Sequence, residues 1–330
     1  KFRGDETLLR PGVAMIETRL GIPCLGVVPY LHDLGLDEED GVALEDRASA
    51  TRRWRNLESG SARALRIGVI ALPHMANFTD FDALALEPSI SLAFLEAPEE
   101  TAVADLLILP GTKQTLDDLR WLEQRGFARE LRCLTETGVP IVGICGGFQM
   151  LGVSIDDPQG IENQSEPCSR MALGLLPVRT VLRAEKTVRR VHGRLRQNFF
   201  RSGSPEQVAF EGYEIHVGET LYETGAFPLT DIERQEATEL VPDGAVSKSG
   251  RVFGTYVHGF FDNDDFRHGF IRAARAAVDL APAASYVNIN AKRDARIDRL
   301  ADQLRKSLDM NLIKSWIVDP SAATVEKWRA

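Results

Sequence analysis

A cysteine stands at the centre of Gly143-Ile144-Cys145-Gly146-Gly147, directly after the apolar run Pro140-Ile141-Val142-Gly143-Ile144 and before the helix-like Phe148 to Val153. A Gly-x-Cys-x-Gly pattern between a buried strand and a helix has the form of a nucleophile elbow, here carrying sulfur. On so tight a turn the nucleophile's backbone is strained, and small neighbours remove the clashes that side chains would cause. The helix start puts partial positive charge beside the sulfur. The N–H of Gly146 aims where an oxyanion would form. The chemistry such a group performs is acyl transfer: sulfur attacks a carbonyl, a thioester forms, and water releases it. Gln149 lies four residues on, one helical turn from Cys145, where it can hydrogen-bond an amino-acid substrate.

A bare Gly-x-Cys-x-Gly also fits a buried structural cysteine. The apolar strand before it, Gln149 after it and a suitable histidine downstream favour catalysis. That histidine is His258, at the end of the apolar stretch Val252-Phe253-Gly254-Thr255-Tyr256-Val257 and followed by Gly259. A strand-end imidazole suits a general base facing the elbow. His32, His74, His192 and His268 have no comparable setting, and His216 in Gly212-Tyr213-Glu214-Ile215-His216 is the one serious rival. A second strand, Leu106-Leu107-Ile108-Leu109, stops at Pro110-Gly111-Thr112-Lys113. Beside the elbow, its loop reads as the other half of an oxyanion hole.

These groups need a scaffold that brings strand ends together. Apolar strands are expected at 65–72, 90–94, 104–109 and 140–144, with helices at 77–86, capped near Thr79 or Asp80, and at 117–137, broken near Gly126. That alternation predicts an α/β fold with a mainly parallel central sheet and helices on both faces. The half from about 173 to 262 is β-rich, at 175–182, 208–217 and 251–257, and terminal helices follow at 264–278 and 293–308. Near the N-terminus a helix over 11–20 leads to a short strand over 22–29.

The 330 residues suggest two domains, and 44% apolar content supplies a sizeable core. A formal net charge of −9 disfavours a nucleic-acid partner. Cys24, Cys133, Cys145 and Cys168 follow no CxxC metal or disulfide spacing and read as reduced thiols of a cytoplasmic protein. No apolar run reaches the roughly 18 residues of a membrane span. The chain opens at Lys1 without a methionine or signal peptide and is expected to continue a longer protein.

The ordered set of motifs resembles the class I glutamine amidotransferases and, within them, the cobyric acid synthase branch. The resemblance runs from Lys1-Phe2-Arg3-Gly4-Asp5 and Leu25-Gly26-Val27-Val28-Pro29 through Asp105 to Asp118 and the Gly143–Gly152 elbow. It continues through Gly174 to Pro177, Lys186-Thr187 and Gly212 to His216, and ends at Gly254 to Gly259. It implies a class I glutamine amidotransferase-like fold, with Cys145 as nucleophile, His258 as base, Gly111 and Gly146 as oxyanion donors and Gln149 as a glutamine contact. It implies that residues 1–45 end an ATP-dependent synthetase domain, 46–65 form a linker, 66–280 the amidotransferase domain and 281–330 a helical tail. The partners it implies are glutamine, the N-terminal synthetase domain of the full-length chain and, through that domain, a corrinoid acceptor.

Two features depart from the wider class. No Gly-x-x-x-x-Gly-Lys-Ser/Thr phosphate loop is present, so ATP and Mg2+ are expected only with the synthetase domain and no cofactor in this chain. Two residues after His258, where many class I enzymes have glutamate, stands Phe260. The acid that orients His258 is therefore open, and Glu214 is the first candidate, since it shares a strand face with His216. The readings that compete are the glutaminase of another amidoligase, such as a cobyrinic acid a,c-diamide synthase or a cell-wall lipid amidotransferase, and a non-catalytic docking scaffold.

Overall fold

A computed structural model describes residues 2, 4–31, 60, 62–163, 166–201, 208–235 and 239–318. The chain divides into two compact units, Lys1–Glu39 with Asn290–Ala330, and Asp40–Ile289. The expected linker at 46–65 lies outside the described residues at 46–59 and 61. The sequence reading keeps the first 45 residues apart from the C-terminal tail. The division instead joins most of both in one unit and leaves 281–289 with the larger one.

In the smaller unit, α1 (Glu6–Leu20) starts at Asp5, whose carboxylate accepts the Thr7 N–H at 2.9 Å, and ends at Gly21 in a left-handed conformation. The helix begins earlier than expected and keeps Pro11 inside it. The strand expected at 22–29 pairs only as isolated bridges, Gly26 with Leu308 and Phe2 with Pro29. Pro23 and Pro29 lack the N–H groups a longer ladder would use.

The larger unit is built on a six-stranded sheet. Its strands are β1 (Leu65–Ile70), β2 (Ile90–Leu95), β3 (Leu106–Leu109), β4 (Ile141–Ile144), β11 (Ala245–Val246) and β12 (Val252–Thr255), in the order β11-β12-β4-β3-β1-β2. All neighbours are parallel except β11 with β12. Alternate residues feed two cores. Leu65, Ile67, Ile108, Val142 and Phe253 pack with Leu84 of α2 (Asp82–Ala85) and with Phe266 and Phe270 of α6 (Asp264–Ala277). Leu107, Leu109 and Ile141 pack with α3 (Thr115–Arg125), α4 (Phe127–Glu136) and α5 (Gly146–Leu151). Helices therefore cover both faces, as the sequence alternation requires.

A second, mostly antiparallel sheet holds β5 (Ser154–Asp157), β6 (Cys168–Met171), β7 (Val178–Leu195), β8 (Ala209–Tyr222), β9 (Thr230–Arg234), β10 (Leu240–Asp243) and the short β13 (Val257–His258). β13 pairs with β8, setting His258 opposite Tyr213 and Val257 opposite Glu214. Just beyond it, the fully buried Arg267 donates to Glu87 Oε1 at 2.7 Å and to the Phe261 carbonyl at 2.8 Å. That ion pair clamps the chain three residues past His258, and breaking one half of such a buried pair costs about 3–5 kcal/mol. The helices α7 (Ile289–Ser307) and α8 (Met310–Val318) complete the described chain. No helix among the described residues is long and apolar enough to cross a membrane.

Candidate active site

Cys145 occupies the turn between β4 and α5 with φ 51° and ψ −111°, a conformation side-chain-bearing residues rarely adopt. Its N–H donates to the Thr255 carbonyl at 2.8 Å, which fastens the elbow to β12. The neighbouring glycines are required by close packing. A Cβ on Gly147 would stand 1.9 Å from the Leu109 carbonyl oxygen, and one on Gly143 would stand 2.8 Å from the Gly147 backbone. The sulfur lies 3.3 Å from the Ile215 carbonyl oxygen of β8.

His258 is buried, and its Nδ1 lies 2.7 Å from Asp80 Oδ2. The other Asp80 oxygen accepts the Gly259 N–H at 2.9 Å. One carboxylate thus fixes both the ring and the backbone after it. With Nδ1 taken by Asp80, Nε2 is the nitrogen left for Cys145, whose Cβ and the His258 ring both border Gly111. Burial works against that charge, but the Asp80 carboxylate, joined by the Cys145 sulfur, holds the His258 pKa up at about 10. The pair therefore favours an imidazolium facing sulfur at neutral pH. Tyr213 stacks on the ring at 5.4 Å and 21°. The Asn77 side-chain nitrogen is 3.0 Å from Nδ1 and 3.1 Å from Nε2, so it sits over the ring face rather than along either lone pair.

Asp80 was expected near the cap of a helix over 77–86. That stretch is instead a 3-10 turn, Phe78–Phe81, entered through Asn77 in a left-handed conformation and followed by one turn of α2. The turn sends the buried Asp80 to His258.

Glu214 is corrected as the orienting acid. Its carboxylate accepts Arg234 Nε at 2.8 Å and Nη2 at 3.1 Å, and lies 3.3 Å from His216 Nε2. Burial raises its pKa, but the hydrogen bonds from His216 and Arg234 outweigh this and bring it to about 2. Register explains the difference. His258 faces Tyr213, so the next residue, Glu214, presents its side chain on the opposite face of β8. His216, the rival base, is spent on the same acid and on the Gly218 carbonyl at 2.8 Å.

Gly111, Gly146 and Gln149 are the other candidates. A Cβ on Gly111 would be 3.1 Å from His258 Cε1 and 3.6 Å from Cys145 Cβ, so this glycine borders both reacting groups. Neither the Gly111 N–H nor the Gly146 N–H donates to another described residue. The loop of Gly111 is held by a residue to which sequence reasoning gave no site role, the fully buried Asp118, which accepts from Thr112 Oγ1 at 2.5 Å and from His74 Nδ1 at 2.8 Å. Gln149 is buried, with Oε1 3.2 Å from Thr115 Oγ1 and Nε2 3.3 Å from the Tyr256 hydroxyl. Among the described residues no group of His, Cys, Asp and Glu could hold a metal ion.

Gly111→Ala tests this crowding. The new methyl must displace the imidazole by a few tenths of an ångström, and kcat for hydrolysis at Cys145 is expected to fall about 10- to 100-fold. Thermal unfolding should change little, because Gly111 has no left-handed backbone to defend. Steady-state rates within twofold of wild type would remove Gly111 from the reacting centre.

A model of the CobB/CobQ-like glutamine amidotransferase domain matches residues 66–266. The chain is 40% identical over 312 residues to a cobyric acid synthase of Moorella thermoacetica, covering 94% of this chain and 58% of that protein. It is 41% identical over 319 residues to the cobyric acid synthase of Klebsiella pneumoniae strain 342, and 42% identical over 317 residues to that of Photorhabdus laumondii. Both of these matches cover 95% of this chain and 59% of the relative, so the chain spans under two thirds of the length of the relatives it matches.

Proposed function

The chain belongs to the CobB/CobQ-like glutamine amidotransferase domain family, and from that premise we propose that it is the glutaminase part of a cobyric acid synthase. The observation that carries the reading is the Asp80–His258 pair beside Cys145 on a nucleophile elbow, bordered by two N–H groups that donate to no other described residue. Cys145 thiolate attacks the side-chain carbonyl of glutamine. The tetrahedral oxyanion rests on the N–H groups of Gly111 and Gly146. The His258 imidazolium, held by Asp80, gives its proton to the departing ammonia, and a thioester on Cys145 remains. His258, now neutral, takes a proton from water as it attacks the thioester. Glutamate leaves, and the imidazolium–thiolate pair is restored.

The ammonia would serve ATP-dependent amidation of the peripheral carboxylates of adenosylcobyrinic acid a,c-diamide, in a cytoplasmic enzyme. The name of the relatives supports the amidation, and their length supports a longer chain to carry it out. We assign ATP and Mg2+ to the synthetase part of such a longer chain, and no step above passes through them. The smaller unit, Lys1–Glu39 with Asn290–Ala330, would include the end of that part. The test supplies the full-length protein with glutamine, ATP and Mg2+ and offers it the corrinoid diamide, unamidated cobyrinic acid or a cell-wall lipid precursor in turn. Mass-detected amide formation on the corrinoid diamide is the expected result. Amidation of either alternative in its place would overturn the acceptor and leave the glutaminase standing. The chain on its own is expected to form no corrinoid amide with ATP.

A further inference from the structure

The steps above engage only the side-chain amide of glutamine. Its α-ammonium group, about 5 Å further along an extended molecule, has no assigned partner. Thr115, the first residue of α3, places Oγ1 3.3 Å from where a Cβ on Gly146 would stand, beside the residue that follows the nucleophile. The same Oγ1 lies 3.2 Å from Gln149 Oε1 and 3.2 Å from Glu162 Oε1. A threonine hydroxyl has one hydrogen, so it satisfies one of these two oxygens at a time. The other is left without a donor from Thr115.

The loop after β5 is built to hold Glu162 there. Asp157, fully buried, accepts the N–H groups of Ile161 at 2.8 Å and Glu162 at 2.9 Å, while Glu162 Oε2 accepts the Leu116 N–H at 3.0 Å. No cation pairs with Glu162 or Asp157 among the described residues. Arg120 and Arg170 are engaged by Asp117 and Glu123. Burial, with Asp157 nearby, pushes the Glu162 carboxyl up, against the donors from Leu116 and Thr115. A half-buried carboxylate short of a counter-charge, next to an acceptor short of a donor, matches a group with one positive charge and three N–H donors.

Resting on the glutaminase reading, we propose that Glu162 is the specificity residue that binds the α-ammonium of glutamine, with Thr115 Oγ1 and Gln149 Oε1 beside it. The side-chain carbonyl then lies toward Cys145 and the cationic end toward α3. Glutamine is told from simple primary amides by this contact.

The experiment compares glutamine with 4-carbamoylbutanoate, which lacks only the α-amino group, as substrates of the full chain and of its Glu162→Gln variant. The rate at which Cys145 is alkylated by 6-diazo-5-oxo-L-norleucine or by its des-amino analogue gives a second readout by mass spectrometry. Wild type should prefer the amino compounds. Glu162→Gln should lose about 10- to 100-fold in kcat/KM and alkylation rate on them, and less than about threefold on the des-amino ones. The glutamine oxygen can still accept from Leu116, so the loop is expected to keep its fold, checked by thermal unfolding. Equal losses on both kinds of compound, or none on either, would overturn the assignment of Glu162. Failure of wild type to turn over glutamine or to be alkylated would instead overturn the glutaminase reading.

Discussion

Replacing Cys145 with alanine is expected to abolish glutamine hydrolysis, lowering kcat by at least about 10⁴-fold, since no other group at the elbow can form the thioester. The loss should be readable as chemistry and not as unfolding. Alanine keeps the Cβ, so the strain at φ 51° is unchanged. The only hydrogen bond removed at the backbone is the weak one from sulfur to the Ile215 carbonyl. The anchoring N–H to Thr255 is untouched. Alkylation by glutamine-mimicking electrophiles should disappear with hydrolysis, while Cys24 and Cys133, though exposed, stay unlabelled because neither sits on a nucleophile elbow. In the full-length protein, amidation fed by free ammonia should survive. Loss of both glutamine- and ammonia-fed amidation in a folded variant would sink the separation of the two chemistries.

How far the sequence could be read depended on whether partners lie near one another along it. The elbow was legible because strand, nucleophile and helix start are contiguous, and the close packing of Gly143 and Gly147 leaves its mark within five residues. His258 was legible as the last residue of an apolar strand. Asp80 was not, since it meets His258 across 178 residues and sits in a 3-10 turn whose composition also fits a helix cap. Its one signal is an acid between Phe78 and Phe81, in a stretch that has to be buried. Glu214 failed for a different reason. That it shares a face with His216 was read correctly, but only the register of β13 on β8 decides which face meets His258. The long strand β7 was missed over 183–190 because its middle is exposed on both sides and so shows no alternation. The joining of the N-terminal segment with residues 290–330 had no local signal at all.

Asp80→Asn is expected to cut kcat by up to about 10⁴-fold, the loss seen when the acid of a nucleophile–histidine–acid line loses its charge. Two donors, His258 Nδ1–H and the Gly259 N–H, are each met by one carboxylate oxygen. Asparagine has a single oxygen and an NH2 group, so it can accept only one of them. If it serves Gly259, its NH2 faces Nδ1 and favours the tautomer whose proton points at sulfur. If it serves His258, the Gly259 N–H is left against an NH2 group. In both cases the negative charge is gone, and with it the main support for the imidazolium. The direction of the pH effect follows. The wild-type ring keeps its proton until the pH rises through about 10, so activity that needs the imidazolium falls only there. In Asp80→Asn the alkaline limb of kcat/KM should move down, toward the ordinary histidine value near 6.5. Glu214→Gln is the control, since Glu214 lies on the other face of β8. It should weaken the fold by loosening Arg234 and leave the alkaline limb in place. An alkaline limb unmoved in Asp80→Asn, or one moved equally by Glu214→Gln, would mean that Asp80 does not set the charge of His258. The proton delivered to the leaving ammonia would then need another source.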